Sequence, residues 1–186
     1  MTNEIVPFSL KNSPTLIEHI WPTGKISAEV QKERKANLGQ TLTSLGSYWK
    51  GRKPLFLVRA CVIGSLLPLT DDPEKDLDVF EKIMLIDDAS FESRTKKASE
   101  WPAIKKLPYN DRMELSFRPE EMNSTAYQRI WPEVNKHLGT NAYKIDELVE
   151  QLGIMRFGKR PRVADTFSGS GSIPFEAARV GCDAYA

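Results

Sequence analysis

The residues of this chain best suited to chemistry stand in one run, Asp165-Thr-Phe167-Ser168-Gly169-Ser170-Gly171-Ser172-Ile-Pro174-Phe-Glu176, preceded by the apolar pair Val163-Ala164. A strand that ends in a carboxylate and turns through two glycines into a helix brings an acid and bare backbone together, as nucleotide-like ligands require. Glycine admits positive φ and leaves no Cβ between the backbone and whatever it binds. Ser172 or Gly171 can cap the helix, Pro174 suits its first turn, Glu176 complements its positive end and Gly181 stops it.

Three ligand classes compete for such a turn. A phosphate loop of the Gly-Lys-Ser/Thr type needs a lysine, and none follows Asp165. A dinucleotide fingerprint needs a third glycine three residues after the second, where Pro174 stands. What is left is Asp-x-Phe-x-Gly-x-Gly, whose carboxylate can accept a hydrogen bond from an ammonium and whose backbone can pass a ribose. Those groups belong to S-adenosylmethionine. A tight strand-to-helix turn with no ligand is the plain alternative.

The stretch from Asp165 to Pro174 resembles the cofactor motif of amino-group DNA methyltransferases. Its continuation, Glu176-Ala-Ala-Arg179-Val-Gly181-Cys-Asp-Ala-Tyr185-Ala, is similar to the zinc-ribbon-containing adenine-specific DNA methylases. A second block, Ile20-Trp-Pro-Thr-Gly24-Lys-Ile-Ser27-Ala-Glu29 with Tyr48-Trp49-Lys50-Gly51-Arg52-Lys53-Pro54-Leu55 and Arg59-Ala60, resembles the N-terminal domain of unknown function that precedes the catalytic region in that family. The resemblance covers residues 17 to 70 and 161 to 186. It implies S-adenosylmethionine as cofactor, held by Asp165, Phe167, Ser168, Gly169, Ser170 and Gly171, with Trp49, Arg52 and Pro54 near its methionine end. It also implies DNA as partner, the exocyclic amine of adenine as the methylated group, and restriction or phage defence as context.

Departures from the family pattern mark its limits. Lys50 stands where a second aromatic is usual and Lys53 where an arginine is, and lysine offers neither a stacking plane nor a bidentate fork. Trp49 as a core residue and Arg52 as a solvated cap form the competing reading. The family's catalytic Asn/Asp-Pro-Pro-aromatic motif does not occur; Trp21-Pro22, Trp101-Pro102 and Trp131-Pro132 reverse its order. A ribose-binding carboxylate is expected about 20 residues after the first glycine, just beyond Ala186. Asp183 is a poor substitute, because it falls at the start of its strand. The expectation is therefore an N-terminal part of a longer methyltransferase, inactive alone and completed by a missing C-terminal portion or a partner subunit. The alternative is a catalytically silent helical module that docks to DNA or to other subunits.

The elements that must position the turn divide the chain at about residue 160. The fold class expected is a mainly α N-terminal region joined to the first strand-turn-helix of an α/β, Rossmann-like class I methyltransferase domain. Residues 1–25, with Pro7, Pro14 and Pro22, read as an irregular arm, and residues 26–160 as a mainly helical module. Within it, Ser27 is the expected cap of a solvated helix to about Asn37, followed by a Gly39/Gly46 loop. Pro54 opens an all-round apolar helix through Leu67, and Asp72 caps the next. Residues 87–122 read as an irregular insertion, Pro132 kinks or splits a helix over 124–138, and an amphipathic helix ends at Gly153. Strand character appears at Arg162 to Phe167, opening the truncated cofactor domain, 161–186.

Composition excludes several classes. The 186 residues are 40% hydrophobic and 27% charged with net charge +1, which fits a globular chain without a global field for nucleic acid or membrane. The two cysteines, Cys61 and Cys182, show no metal-ligand spacing. Leu55 to Leu67 falls short of the roughly 20 residues that cross a bilayer, and the N-terminus lacks a secretory pattern, so a cytoplasmic protein without a membrane partner is expected. Arg156, Lys159, Arg160 and Arg162 read as a solvated loop, and His19 and His137 as surface residues. Buried Arg59 needs a partner, with the acids of Asp71 to Asp78 as candidates or a ligand.

Overall fold

A helix apolar on every side has no face to give to water, so it belongs in the middle of its domain. In the computed structural model, which describes residues 3–38 and 53–186, that helix is α3 (Leu55–Leu66), with Pro54 as its N-cap and Phe56, Val58, Ala60, Ile63 and Leu66 buried. Around it pack α1 (Leu16–His19), α2 (Thr23–Leu38), α9 (Ile145–Phe157) and α10 (Ser172–Arg179). Trp49, Arg52 and the Gly39/Gly46 loop lie outside the described residues.

The helix α2 starts four residues before the expected Ser27 cap. Ile26 N–H already donates to Pro22 O at 3.1 Å, so the Trp21-Pro22 pair opens the turn. Nor is α2 only a solvated helix, since Glu29 and Glu33 are buried on it. α4 (Pro73–Ile83) is capped by Asp72 as expected, whose carboxylate accepts from Lys75 N–H at 3.0 Å.

Residues 87–122, expected as an irregular insertion, fold into the short helices α5 (Ser90–Arg94), α6 (Trp101–Ile104) and α7 (Tyr109–Glu114) with two 3-10 turns, Ala98–Glu100 and Pro119–Glu121. Helices of one or two turns are too short to display a period, which hid them from the sequence. Their anchor is Arg94, fully buried, donating to Glu29 Oε1 at 2.6 Å, Leu85 O at 2.7 Å and Phe117 O at 2.9 Å. Pro132 splits the next segment into a 3-10 turn at Ser124–Tyr127 and α8 (Trp131–Leu138), whose first turn it occupies.

The helix α9 runs on past Gly153 to Phe157 and stops at Gly158, left-handed at φ +69°. Gly153 serves clearance instead: a Cβ there would lie 2.3 Å from Pro161 Cδ, where the chain folds back over the helix. Arg156, expected in a solvated loop, is buried. Its guanidinium donates to the carbonyls of Leu10, Ser13, Pro14, Leu66 and Leu67, so it closes the C-terminal end of α3 and clamps the N-terminal arm to it.

Two short strands complete the chain, β1 (Arg162–Ala164) and β2 (Asp183–Tyr185), parallel, with Val163 opposite Ala184 and α10 between them in sequence. β1 is shorter than the expected 162–167 because Asp165 Oδ1 accepts from Phe167 N–H at 3.1 Å, turning the chain out of extension. Val163 and Ala184 pack against the core; Arg162, Ala164 and Tyr185 are exposed on the opposite face. Among the described residues, no helix is long and apolar enough to cross a membrane.

Candidate functional site

The turn between β1 and α10 holds six of the nine expected binding residues. Asp165 lies half-buried just past the end of β1, and Phe167 beside it is 93% exposed. Gly169 and Gly171 take φ +49° and +71°, conformations that side chains disfavour, so both glycines are required by the turn itself. Gly171 N–H donates to Ser168 O at 2.6 Å, and the hydroxyls of Ser170 and Ser172 lie 2.7 Å apart. Gly171 is the N-cap of α10, and Pro174 falls in its first turn. A Cβ on Gly171 would meet nothing within 4 Å, so the left-handed backbone faces open space.

Pro54 is not among these residues in the fold; it is joined to them through two helices. Five residues after Pro54, Arg59 Nε donates to Glu176 Oε1 at 2.8 Å, and Glu176 stands five residues after Gly171. The expected acids at 71–78 are not its partners. Glu176, read from sequence as an acid complementing the helix end, is 0% exposed and also pairs with Arg179 at 2.7 Å. Burial by itself would lower the Arg59 pKa, yet Tyr127 and Glu176 beside it outweigh burial and raise it. The guanidinium stays charged, which keeps the buried carboxylate paired.

Further acids surround this pair. Glu33 accepts from Leu55 N–H at 2.9 Å and from Phe56 N–H at 3.0 Å, so a side chain of α2 caps the first amides of α3. Glu120 is poorly served: Arg118 Nη1 lies 3.6 Å away, and among the described residues neither carboxylate oxygen has a hydrogen bond. Burial, with Glu33 nearby, pushes its pKa up. Burial likewise raises that of Tyr127, whose hydroxyl accepts from Arg59 at 3.5 Å. Glu33, Glu120, Tyr127 and Arg94 escaped the sequence reading, and Arg156 was assigned to a solvated loop. Charged residues at irregular spacing signal burial only once their partners, up to 146 residues away, are known.

His137 is also not a free surface residue, since its Nε2 lies 2.7 Å from Asp76 Oδ1 and joins α8 to α4. His19 is exposed as expected.

The turn presents backbone N–H groups at a helix start and a strand-end carboxylate, with open space beside Gly171. Comparison with known proteins reaches another part of the chain. Residues 20–83 match the model of a family described as Protein of unknown function (DUF1156). The match contains α2, α3 and α4, ends on the last residue of α4, and includes the Ile20–Glu29 and Tyr48–Ala60 blocks. No curated protein and no solved structure matches the chain.

Proposed function

We propose that the chain supplies the cofactor-binding opening of an S-adenosylmethionine-dependent DNA methyltransferase of the Rossmann-like class. It acts on the exocyclic amine of adenine, and a C-terminal portion or partner subunit completes it. One observation carries this reading: a parallel β1-α10-β2 unit in which Asp165 follows the first strand and two left-handed glycines, Gly169 and Gly171, lead into the helix. The residues fit the cofactor. Asp165 Oδ1 is taken by Phe167 N–H, which leaves the second oxygen for a ligand ammonium, and no atom within 4 Å of a Cβ on Gly171 stands in the way of a sugar lying along the turn.

When bound, the cofactor supplies a methyl group activated on sulfonium. This chain's part is to hold it, with Asp165 accepting from the ammonium and the glycine turn lying along the sugar. Arg59 and Glu176 act one layer behind as positioning residues, fixing α10 so that its first turn keeps one place relative to Asp165. DNA is engaged by the completed protein.

The test is an amide-resolved NMR titration of the isotope-labelled chain. Millimolar S-adenosylmethionine should shift the amides of Gly169, Ser170 and Gly171, and Asp165→Ala should remove the effect. Equal shifts with ATP, or none at all, reject the cofactor assignment. Micromolar calorimetric binding to the chain alone rejects the part of the proposal that requires a completing partner.

A further inference from the structure

The segment that follows buried Arg94, residues 95–107, carries four lysines, Lys96, Lys97, Lys105 and Lys106, against one acid, Glu100, a net charge of +3 in a chain whose total is +1. All four lysines are exposed. Among the described residues Lys96, Lys105 and Lys106 have no ion pair, and Lys97 has only the exposed Glu100, at 3.1 Å. Residues 39–52 contain no Asp or Glu, so they bring no carboxylate to neutralise these charges. The other basic run, Arg156 to Arg162, is denser in sequence and weaker in the fold. There Arg156 is buried among carbonyls and Arg160 pairs with Glu150 at 2.7 Å, which leaves Lys159 and Arg162.

The backbone holds the four lysines in place. At one end Thr95 bridges to Ser116 and its hydroxyl donates to Phe91 O at 2.6 Å; at the other Ile104 is buried. Between them the 3-10 turn Ala98–Glu100 runs directly into α6, with Glu100 N–H donating to Lys97 O and Lys105 N–H to Trp101 O, both at 2.9 Å. A helical rise of about 1.5–2.0 Å per residue sets the two lysine pairs about 12–16 Å apart. That is the span of about four nucleotides along one DNA strand, at about 3.4 Å each. The ridge is also tied to the cofactor unit. Arg94 joins it to Glu29 of α2 at 2.6 Å, Glu33 of α2 accepts from Leu55 N–H of α3 at 2.9 Å, and Arg59 of α3 holds Glu176 of α10 at 2.8 Å. A strand held on the ridge therefore keeps a fixed relation to the glycine turn.

Lysine is depleted from protein–protein interfaces, whereas exposed lysines in a row supply the contacts to phosphate that position a protein on a duplex without reading its bases. We infer that Lys96, Lys97, Lys105 and Lys106 form a ridge that grips the phosphate backbone of duplex DNA, which gives residues 87–122 the task of placing DNA relative to the cofactor turn. This inference rests on DNA as the partner in the proposed function, but it uses no residue of the turn. A failed cofactor titration leaves DNA binding by the ridge measurable, and a failed ridge leaves the cofactor titration standing.

The test uses the whole chain and a short fluorescein-labelled DNA duplex of mixed sequence. Fluorescence anisotropy should show saturable binding whose log affinity falls linearly with log salt, with a slope of about −3 to −4 between about 50 and 200 mM. Each of the double variants Lys96→Ala/Lys97→Ala and Lys105→Ala/Lys106→Ala should weaken binding at least about tenfold at the low-salt end and reduce the slope by about two. The comparison variant Lys159→Ala/Arg162→Ala should leave the slope unchanged. Absence of saturable binding at low salt overturns the inference. So does equal weakening by all three double variants, which would mean that total charge and not the ridge governs binding. Polyglutamate that displaces the duplex at matched charge concentration would make the ridge a dock for an acidic polypeptide and overturn it as well.

Discussion

Glu120 carries a cost that the rest of the cluster does not remove. Its carboxylate is mostly withdrawn from water, Arg118 Nη1 stands 3.6 Å away, and among the described residues its two oxygens lack hydrogen bonds. A pKa raised above the unfolded value of 4.5 means that the native state holds this proton longer than the unfolded chain does. Stability contributed by this group is therefore greatest below about pH 4.5 and is lost as pH rises through the folded pKa. Glu120→Gln should raise the thermal midpoint at neutral pH by about 2–4 °C, equivalent to about 1 kcal/mol for a chain of this size, with the gain vanishing toward pH 4.5. Scanning calorimetry across that range checks it; an unchanged midpoint at neutral pH would show that Arg118 already compensates the charge. At the turn, a strand followed by left-handed Gly169 and Gly171 was legible in the sequence, because local backbone chemistry specifies a glycine turn. Glu120 could not be read the same way, since Glu33 and Arg59, which stand near it, arrive from separate segments.

At the scale of elements, buried charge pairs join helices whose apolar faces alone would allow several packings. Arg59 on α3 and Glu176 on α10 are the central case, and Arg94 with Glu29 does the same between α5 and α2. Removing one partner strands the other in the core, a loss of about 3–5 kcal/mol, whereas removing both often costs little. Arg59→Met should fall near the lower end of that range because Arg179 keeps Glu176 partly paired. The double variant Arg59→Met/Glu176→Met should recover most of the loss. Urea unfolding of the cycle measures the coupling, and additive losses would mean that the pair does not act as a unit. The helices themselves were legible: the all-apolar α3, the Asp72 cap of α4 and the periodic face of α9 follow from spacing. The end of α9 was misread because glycine has two uses, and only the return of Pro161 over Gly153 distinguishes clearance from termination.

Across the whole molecule, the arm, the helical core and the terminal βαβ unit are tied into one structure by groups far apart in sequence. Arg156 reaches five carbonyls, three on the arm and two at the C-terminal end of α3. Arg156→Met should cost about 2–3 kcal/mol by leaving buried carbonyls unserved. It should also speed amide exchange at Leu16 and Leu69, whose N–H groups bond to Leu67 and Pro14. Unchanged exchange there, with global stability lowered, would show that the arm is held by its apolar contacts alone. The sequence by itself determined the helical character of the chain, the late change to strand and glycine turn, and the resemblance that suggests a cofactor. Those properties rest on propensity, spacing and backbone chemistry, which act between near neighbours. Tertiary structure alone decided that Arg59 meets Glu176, that Glu33 caps α3, and that residues 87–122 are packed around Arg94. Each of these is a meeting between distant segments, and the energy of a buried charge exists only once the chain has brought them together.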